Sequence, residues 1–107
     1  MGRYLTTTGT SSATNRTIST TYSAVVNDRI FCTAGGFTIT LPASGLLEGD
    51  VIQIIDVTSV FGSSNLTVAR NGNLIGGLAE NLVLDVNGAI VTLVWSGATY
   101  GWVLTSA

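Results

Sequence analysis

Residues 37–42 read Phe-Thr-Ile-Thr-Leu-Pro and indicate the fold class of this chain more clearly than any other segment. Phe37, Ile39 and Leu41 alternate with threonines, and a period of two places them on one face of a β-strand. Proline cannot donate a hydrogen bond to a neighbouring strand, so Pro42 ends the segment. These six residues therefore predict a strand with one apolar face.

Similar segments lie on both sides. Residues 28–33 and 66–70 are short and strand-like, and residues 51–57 are almost continuously apolar and β-branched, which predicts a strand buried on both faces. Residues 89–95 and 100–105 continue the series, and no window shows helical spacing of apolar residues. The chain is therefore predicted to be all-β, a single compact antiparallel β-sandwich or barrel-like domain.

Two Asn-Gly pairs predict how neighbouring strands are joined. Asn71-Gly72 and Asn87-Gly88 are typical of type I′ hairpins, because both central residues of that turn have positive φ. Antiparallel hairpins are therefore expected at both places.

The first part of the chain has a different composition. Residues 6–23 are mostly threonine and serine with few apolar side chains, which suits an extended segment that cannot fold alone. We therefore divide the chain into an extended N-terminal arm, residues 1–21, and a β-domain, residues 22–107. Deleting residues 2–18 is expected to leave the β-domain folded but unable to attach to its partner.

Six side chains are predicted to bind a partner. In the arm, apolar groups would fill shallow pockets and arginines would pair with carboxylates, while β-augmentation would supply main-chain hydrogen bonds. An arginine at the end of residues 66–70 would make a bidentate hydrogen bond across a subunit interface. These residues are Arg3, Tyr4, Leu5, Arg16, Ile18 and Arg70.

The composition disfavours several classes of function. The 107 residues include 4 arginines, 6 acidic residues and no histidine, with a net charge of −2. Nucleic-acid binding needs clustered basic residues, and histidine is the commonest general acid–base group. No phosphate loop, metal-ligand cluster or apolar run of about 20 residues is evident. The sequence predicts no enzyme, no cofactor, no metal, no nucleic-acid partner and no membrane partner.

Three candidate groups each have two interpretations. Asp50 and Asp56 could form a carboxylate pair, but we favour two strand ends in water. Asp28 and Arg29 could anchor a salt bridge between subunits or form a solvated pair. Cys32, the lone cysteine, is interpreted as a small core residue rather than a nucleophile, and it fits synthesis in a reducing compartment.

The aromatic residues near the C-terminus also have two interpretations. Trp95, Tyr100 and Trp102 lie on either side of a predicted turn at Gly97. They could form a platform for stacking a carbohydrate, or they could pack across two neighbouring strands. We favour packing.

Several of these segments together resemble a recurrent small β-domain of tailed-bacteriophage virion proteins. The resemblance spans residues 22–104, and residues 66–73 are its most specific part. Domains of this kind occur at the ends of tail fibres and as short free-standing structural proteins, and the resemblance implies a homotrimer. The segments that carry it are Tyr22, Asp28-Arg-Ile, Phe37-Thr-Ile-Thr-Leu-Pro, Gly49-Asp50 with Ile54-Ile-Asp, Asn65-Leu-Thr-Val-Ala-Arg-Asn-Gly-Asn, Ala79-Glu80-Asn-Leu-Val-Leu-Asp and Val91-Thr-Leu-Val-Trp, followed by Trp102.

Two functions follow from the resemblance as predictions. The first is a capsid decoration, or cement, protein that binds the major capsid protein on the outside of the head. A single domain with an arm starting at residue 1 favours this role over a fibre with a long shaft. The alternative is a tail fibre or spike component able to bind a host glycan. In either case the expected location is the virion, after synthesis in the host cytoplasm.

Overall fold

A computed structural model describes residues 13–106, and this part of the chain is all-β, which confirms the predicted class. It has no helix that could cross a membrane. The strands of the described residues are β1 (Thr14–Ile18), β2 (Tyr22–Ser23), β3 (Asp28–Cys32), β4 (Thr38–Thr40), β5 (Val51–Asp56), β6 (Leu66–Ala69), β7 (Leu82–Leu84), β8 (Ile90–Trp95) and β9 (Trp102–Ser106).

The first six strands alternate between two sheets. A five-stranded sheet has the order β1-β3-β5-β8-β9, and a four-stranded sheet has the order β2-β4-β6-β7. Each return to a sheet runs in the same direction, so β1, β3 and β5 are parallel, as are β2, β4 and β6. Strands β7, β8 and β9 then join antiparallel.

This topology corrects two details of the prediction. The domain is not purely antiparallel, because alternation of apolar residues shows which face of a strand is buried but not the direction of its neighbour. The domain is also not a barrel, since each sheet keeps two edge strands: β1 and β9 in one, β2 and β7 in the other.

The two sheets enclose one apolar core. In β5, Ile52 and Ile54 are buried, whereas Val51, Gln53 and Ile55 on the opposite face are partly exposed. The prediction that this strand is buried on both faces is therefore wrong for the single chain. The buried apolar residues of the core are Ala24, Ile30, Cys32, Ile39, Leu41, Ile52, Ile54, Phe61, Leu66, Val68, Ile75, Leu84, Leu93, Trp95 and Trp102.

The first Asn-Gly pair forms the predicted turn but not the predicted hairpin. Asn71 and Gly72 have φ values of 53° and 90°, and the Asn73 N–H donates to the Arg70 carbonyl over 3.3 Å. This is the type I′ geometry. Strand β6 nevertheless pairs with β7, which begins ten residues after the turn at Leu82.

The second Asn-Gly pair makes a different turn. Gly88 has a φ of 75° and Asn87 does not have a positive φ, while the Ala89 N–H donates to the Val86 carbonyl over 3.2 Å. Positive φ at the third residue alone defines a type II turn. This turn carries the chain from β7 in one sheet to β8 in the other, so the hairpin predicted here is wrong.

Strand β1 lies inside the segment predicted to be an arm. All five of its residues pair with β3, and Ile18 packs against the core. The structure thus differs from the predicted boundary between residues 21 and 22, and a deletion of residues 2–18 would remove an edge strand of the domain. The predicted anchors Arg3, Tyr4 and Leu5 lie outside the described residues.

Candidate functional site

Asp56, the last residue of β5, is a buried carboxylate on which two connections converge. It is 4% exposed. Its Oδ1 accepts the Val60 N–H at 3.2 Å, and its Oδ2 accepts the N–H groups of Phe61 at 3.0 Å and Gly88 at 2.9 Å. Asp56 therefore ties the loop after β5 to the type II turn before β8.

These hydrogen bonds determine the charge of Asp56. Burial by itself raises the pKa of this carboxyl, because an ionised group loses solvation. The backbone N–H groups of Phe61, Gly88, Val60 and Ser59 act in the opposite direction and together hold the pKa of Asp56 below its ordinary value. The side chain is thus a structural anion whose acceptors are occupied by its own chain.

Asp50 and Asp56 do not form a carboxylate pair. Asp50 precedes β5 and Asp56 ends it, so they lie roughly 20 Å apart at about 3.3 Å per residue. Asp50 is partly exposed and its Oδ2 accepts the Leu47 N–H at 2.8 Å. The preferred interpretation, two strand ends in water, fails for Asp56 because that side chain is buried.

Asp28, the first residue of β3, is a second buried carboxylate. It is 2% exposed, and its Oδ2 accepts the Tyr22 hydroxyl at 2.8 Å and the Val25 N–H at 2.9 Å. Its Oδ1 lies 3.5 Å from Nε of Arg16, an ion pair between β3 and the edge strand β1. Burial, followed by the hydrogen bond and charge of Asp28, raises the pKa of Tyr22.

Asp28 and Arg29 therefore do not act as a pair. Neighbouring residues of a strand point to opposite faces, so Asp28 faces the core and Arg29 faces outward. The Arg29 Nε donates to Gln53 Oε1 at 3.1 Å. Arg16, predicted to bind a partner through the arm, instead contacts its own domain with a side chain that is 48% exposed.

A signal in the sequence could have located both buried carboxylates. Asp28 alternates with Ile30 and Cys32, and Asp56 alternates with Ile52 and Ile54. An acidic residue on the apolar face of a strand must be hydrogen-bonded once the strand is buried. The alternation that predicts these strands could therefore also have predicted that both acids face the core.

Cys32 is the core residue that the sequence predicted. It is fully buried in β3 and lies in register with Asp56 of β5. Burial, together with the charge of Asp56, raises the pKa of the Cys32 thiol to about 11. The group is therefore a neutral thiol at physiological pH.

We expect Cys32 to be almost unreactive towards a thiol reagent in the folded protein. At pH 8 a thiol of pKa about 11 contains roughly 100-fold less thiolate than one of pKa 9.0, and burial slows the reaction further. The rate should be measured with an aromatic disulfide in buffer and in denaturant; equal rates would contradict the assignment.

Because the folded pKa of the Cys32 thiol is raised, the contribution of this thiol to the free energy of unfolding is complete below about pH 9 and declines as the pH rises towards 11.

The aromatic residues near the C-terminus pack rather than form a platform. Trp95 and Trp102 lie in register on β8 and β9, with ring centroids 5.4 Å apart in an edge-to-face arrangement. They are 8% and 0% exposed, whereas Tyr100 is 63% exposed. The preferred interpretation, cross-strand packing, is confirmed for the two tryptophans, and the carbohydrate platform built from all three residues is wrong.

The two sheets have outer faces of different chemistry. The outer face of the four-stranded sheet, which we call the hydroxyl face, carries mainly small or hydroxyl side chains: Ser23, Thr38, Thr40, Thr67, Ala69 and Val83. The outer face of the five-stranded sheet, the apolar face, carries large apolar side chains: Phe31, Val51, Ile55, Ile90, Val94 and Val103.

The apolar face is arranged in rows that run across the strands. Phe31, Ile55 and Ile90 are register partners in one row, which Thr17 of β1 extends. A second apolar row is formed by Val51, Val94 and Val103. A polar row lies between them and consists of Asn15, Arg29, Gln53, Thr92 and Thr105.

Within residues 13–106 no group of three or more His, Cys, Asp and Glu side chains could hold a metal ion, and no pocket for a small molecule is found. No protein-family model matches the sequence, and no curated protein matches it.

Among the predicted partner-binding residues, Arg70 contacts its own turn. Its Nη1 donates to the Asn73 carbonyl at 2.8 Å, and its backbone N–H donates to Asn81 Oδ1 at 3.0 Å. Ile18 is half-buried against the core. A role for either residue between subunits stays a prediction.

Proposed function

We propose that this protein is a structural component of a tailed-bacteriophage virion, a decoration protein that binds as a homotrimer to the major capsid protein outside the head. The resemblance of residues 22–104 to small β-domains of virion proteins supplies the class. The predicted arm anchors Arg3, Tyr4 and Leu5 supply the contact with the capsid.

The observation that carries the proposal is the chemistry of the domain surface. Large apolar side chains are exposed in several strands and connections, and three of them are more than 60% exposed: Leu47, Val86 and Tyr100. A contiguous apolar surface such as the apolar face is typical of a contact with another macromolecule. The buried Asp28, Asp56 and Cys32 are used within the fold, so what the chain offers to its surroundings is contact surface.

A tail fibre or spike component is the alternative that the same resemblance allows. Its glycan-binding form loses support, because two of the three aromatic residues it would use are in the core. A tail component and a head decoration protein differ in the number of copies that each particle carries.

Copy number therefore tests the proposal. Particles of a phage that encodes this chain should be purified and the protein quantified by mass spectrometry against the major capsid protein. Hundreds of copies per particle are expected for a head decoration protein. A few tens of copies would indicate a tail component instead, and absence from the particle would overturn a structural role.

The arm can be tested in the full-length chain. Changing Tyr4 and Leu5 to alanine should abolish binding to particles that lack the protein, because the apolar anchors are lost. The matched control is Val83→Ala, which removes an apolar side chain that is 50% exposed on the hydroxyl face. Equal binding of both variants would show that the arm is not the attachment segment.

A further inference from the structure

We infer that the apolar face is the surface through which copies of this chain associate with one another. The inference rests on the homotrimer of the proposed function and adds the surface by which it forms. The occupants of this face are the other copies of the same chain in the trimer, which contact it with their own apolar faces.

The pattern of β5 and β8 is the first argument. Both strands are almost continuously apolar, a pattern typical of strands covered on both faces. The single chain covers only one face of each: Ile52, Ile54 and Leu93 are buried, while Ile55 and Ile90 remain partly or largely exposed. Within residues 13–106 nothing covers the opposite face of β5 and β8, and we assign that cover to another copy of the chain.

The hydroxyl face provides an internal comparison. Both faces belong to the same domain, yet the four-stranded sheet turns Thr38, Thr40 and Thr67 outward. Threonine satisfies strand propensity while remaining compatible with water. The apolar face also carries threonines, Thr92 and Thr105, but it holds six large apolar side chains where the hydroxyl face holds one, Val83. This excess indicates a different environment.

The polar row is hydrogen-bonded within the face at Arg29, Gln53 and Thr92. Arg29 Nε donates to Gln53 Oε1 at 3.1 Å, and Gln53 Nε2 donates to Thr92 Oγ1 at 3.1 Å. Polar groups that already have partners within the face lose less when a second copy displaces water. Gln53, on the central strand β5, thus links two neighbouring strands beneath the contact.

The charges of the chain favour a second copy on this face. Its only ionised side chain is Arg29, and the exposed acids Glu48, Glu80 and Asp85 lie in connections outside the strands. The net negative charge of the chain comes from acids outside this face, so it does not make two apolar faces repel each other.

The size of the apolar face is sufficient. Five strands spaced by about 4.8 Å and about six residues long cover roughly 24 Å by 20 Å, or about 500 Å² in projection. Side chains add to this area, and specific interfaces bury about 600–1,000 Å² on each partner. The face therefore accounts for most of one such interface.

Sedimentation of two lysine variants tests the inference. Ile90→Lys places a charge on the apolar face, and Val83→Lys places one on the hydroxyl face at nearly the same exposure, 49% against 50%. We expect the wild-type protein and Val83→Lys to sediment as the same oligomer, and Ile90→Lys to associate at least tenfold more weakly. Circular dichroism and urea unfolding check that each variant is folded.

A second variant keeps the test decisive if Ile90→Lys does not fold. Val94→Thr preserves β-branching and strand propensity while removing apolar contact from the second apolar row of the face, and it should also weaken association. If the folded apolar-face variants sediment as the same oligomer as wild type, the inference about this face is overturned, but the proposed homotrimer is not. A wild-type protein that sediments as a single 11.0 kDa chain would overturn both.

Discussion

Replacing Asp56 by asparagine is expected to destabilise the protein by about 2–4 kcal/mol at neutral pH. The carboxylate accepts N–H groups on both oxygens, from Val60 on Oδ1 and from Phe61 and Gly88 on Oδ2. An amide presents only one oxygen, so its NH₂ group would face a backbone N–H in a buried site. Urea unfolding measured by tryptophan fluorescence would give the change in free energy.

The pH dependence gives this prediction a second readout. Because the folded pKa of Asp56 lies below its ordinary value of 3.8, its contribution to stability is present above about pH 4 and is lost as the pH falls through the folded value. The variant should therefore lose less stability than wild type over the acid range. Asp85→Asn, at an exposed position, is the control and should behave as wild type.

If Asp56→Asn unfolded at the same urea concentration as Asp85→Asn, the carboxylate would not hold the two connections together. The same conclusion would follow if both variants kept the wild-type slope in acid.

Replacing Gly101 by alanine is expected to cost about 3 kcal/mol or more, from left-handed strain of about 1–2 kcal/mol and loss of a buried hydrogen bond. Gly101 has a φ of 74°, and an added Cβ would overlap the backbone carbonyl of Leu74. That carbonyl accepts the Trp102 N–H at 2.8 Å. The extra methyl group would therefore push the connection after β6 away from β9.

Gly45→Ala separates the two contributions. Gly45 has a φ of 72°, and a Cβ there would meet no atom within 4 Å. This control should show the conformational cost alone, and the difference between the two variants measures the close approach at Leu74. Equal losses in urea unfolding would mean that the connection moves aside without cost.

The alternation of apolar and polar residues predicts which side chains of a strand are buried, but it does not predict their hydrogen-bond partners, and this limited prediction of the candidate site. The strand patterns of residues 28–33 and 51–57 gave the correct elements, and Cys32 was placed in the core. The roles of Asp28 and Asp56 depend on N–H groups of Val25, Phe61 and Gly88, and each of these groups is supplied by a connection rather than by a strand. No local pattern shows which loop N–H will meet which carboxylate.

The sequence by itself determined that the described part of the chain is all-β and which side chains of residues 37–41 and 66–69 face the core. Residues 37–42 show why: alternation acts through geometry between neighbouring residues, and Ile39 and Leu41 are buried as that geometry requires. The Asn71-Gly72 turn is local in the same sense, because its φ values depend on the two residues themselves.

Only the tertiary structure decided strand direction, strand partners and the extent of the N-terminal strand. Strand β1 pairs with β3, and β3 pairs with β5 across more than 20 residues of chain, so their parallel order depends on the path between the sheets. Asn87-Gly88 joins two sheets instead of two neighbouring strands, because Gly88 donates to Asp56, which is 32 residues away. Thr14–Ile18 has too little apolar surface to fold alone, and it is a strand because the open edge of β3 supplies its hydrogen-bond partners.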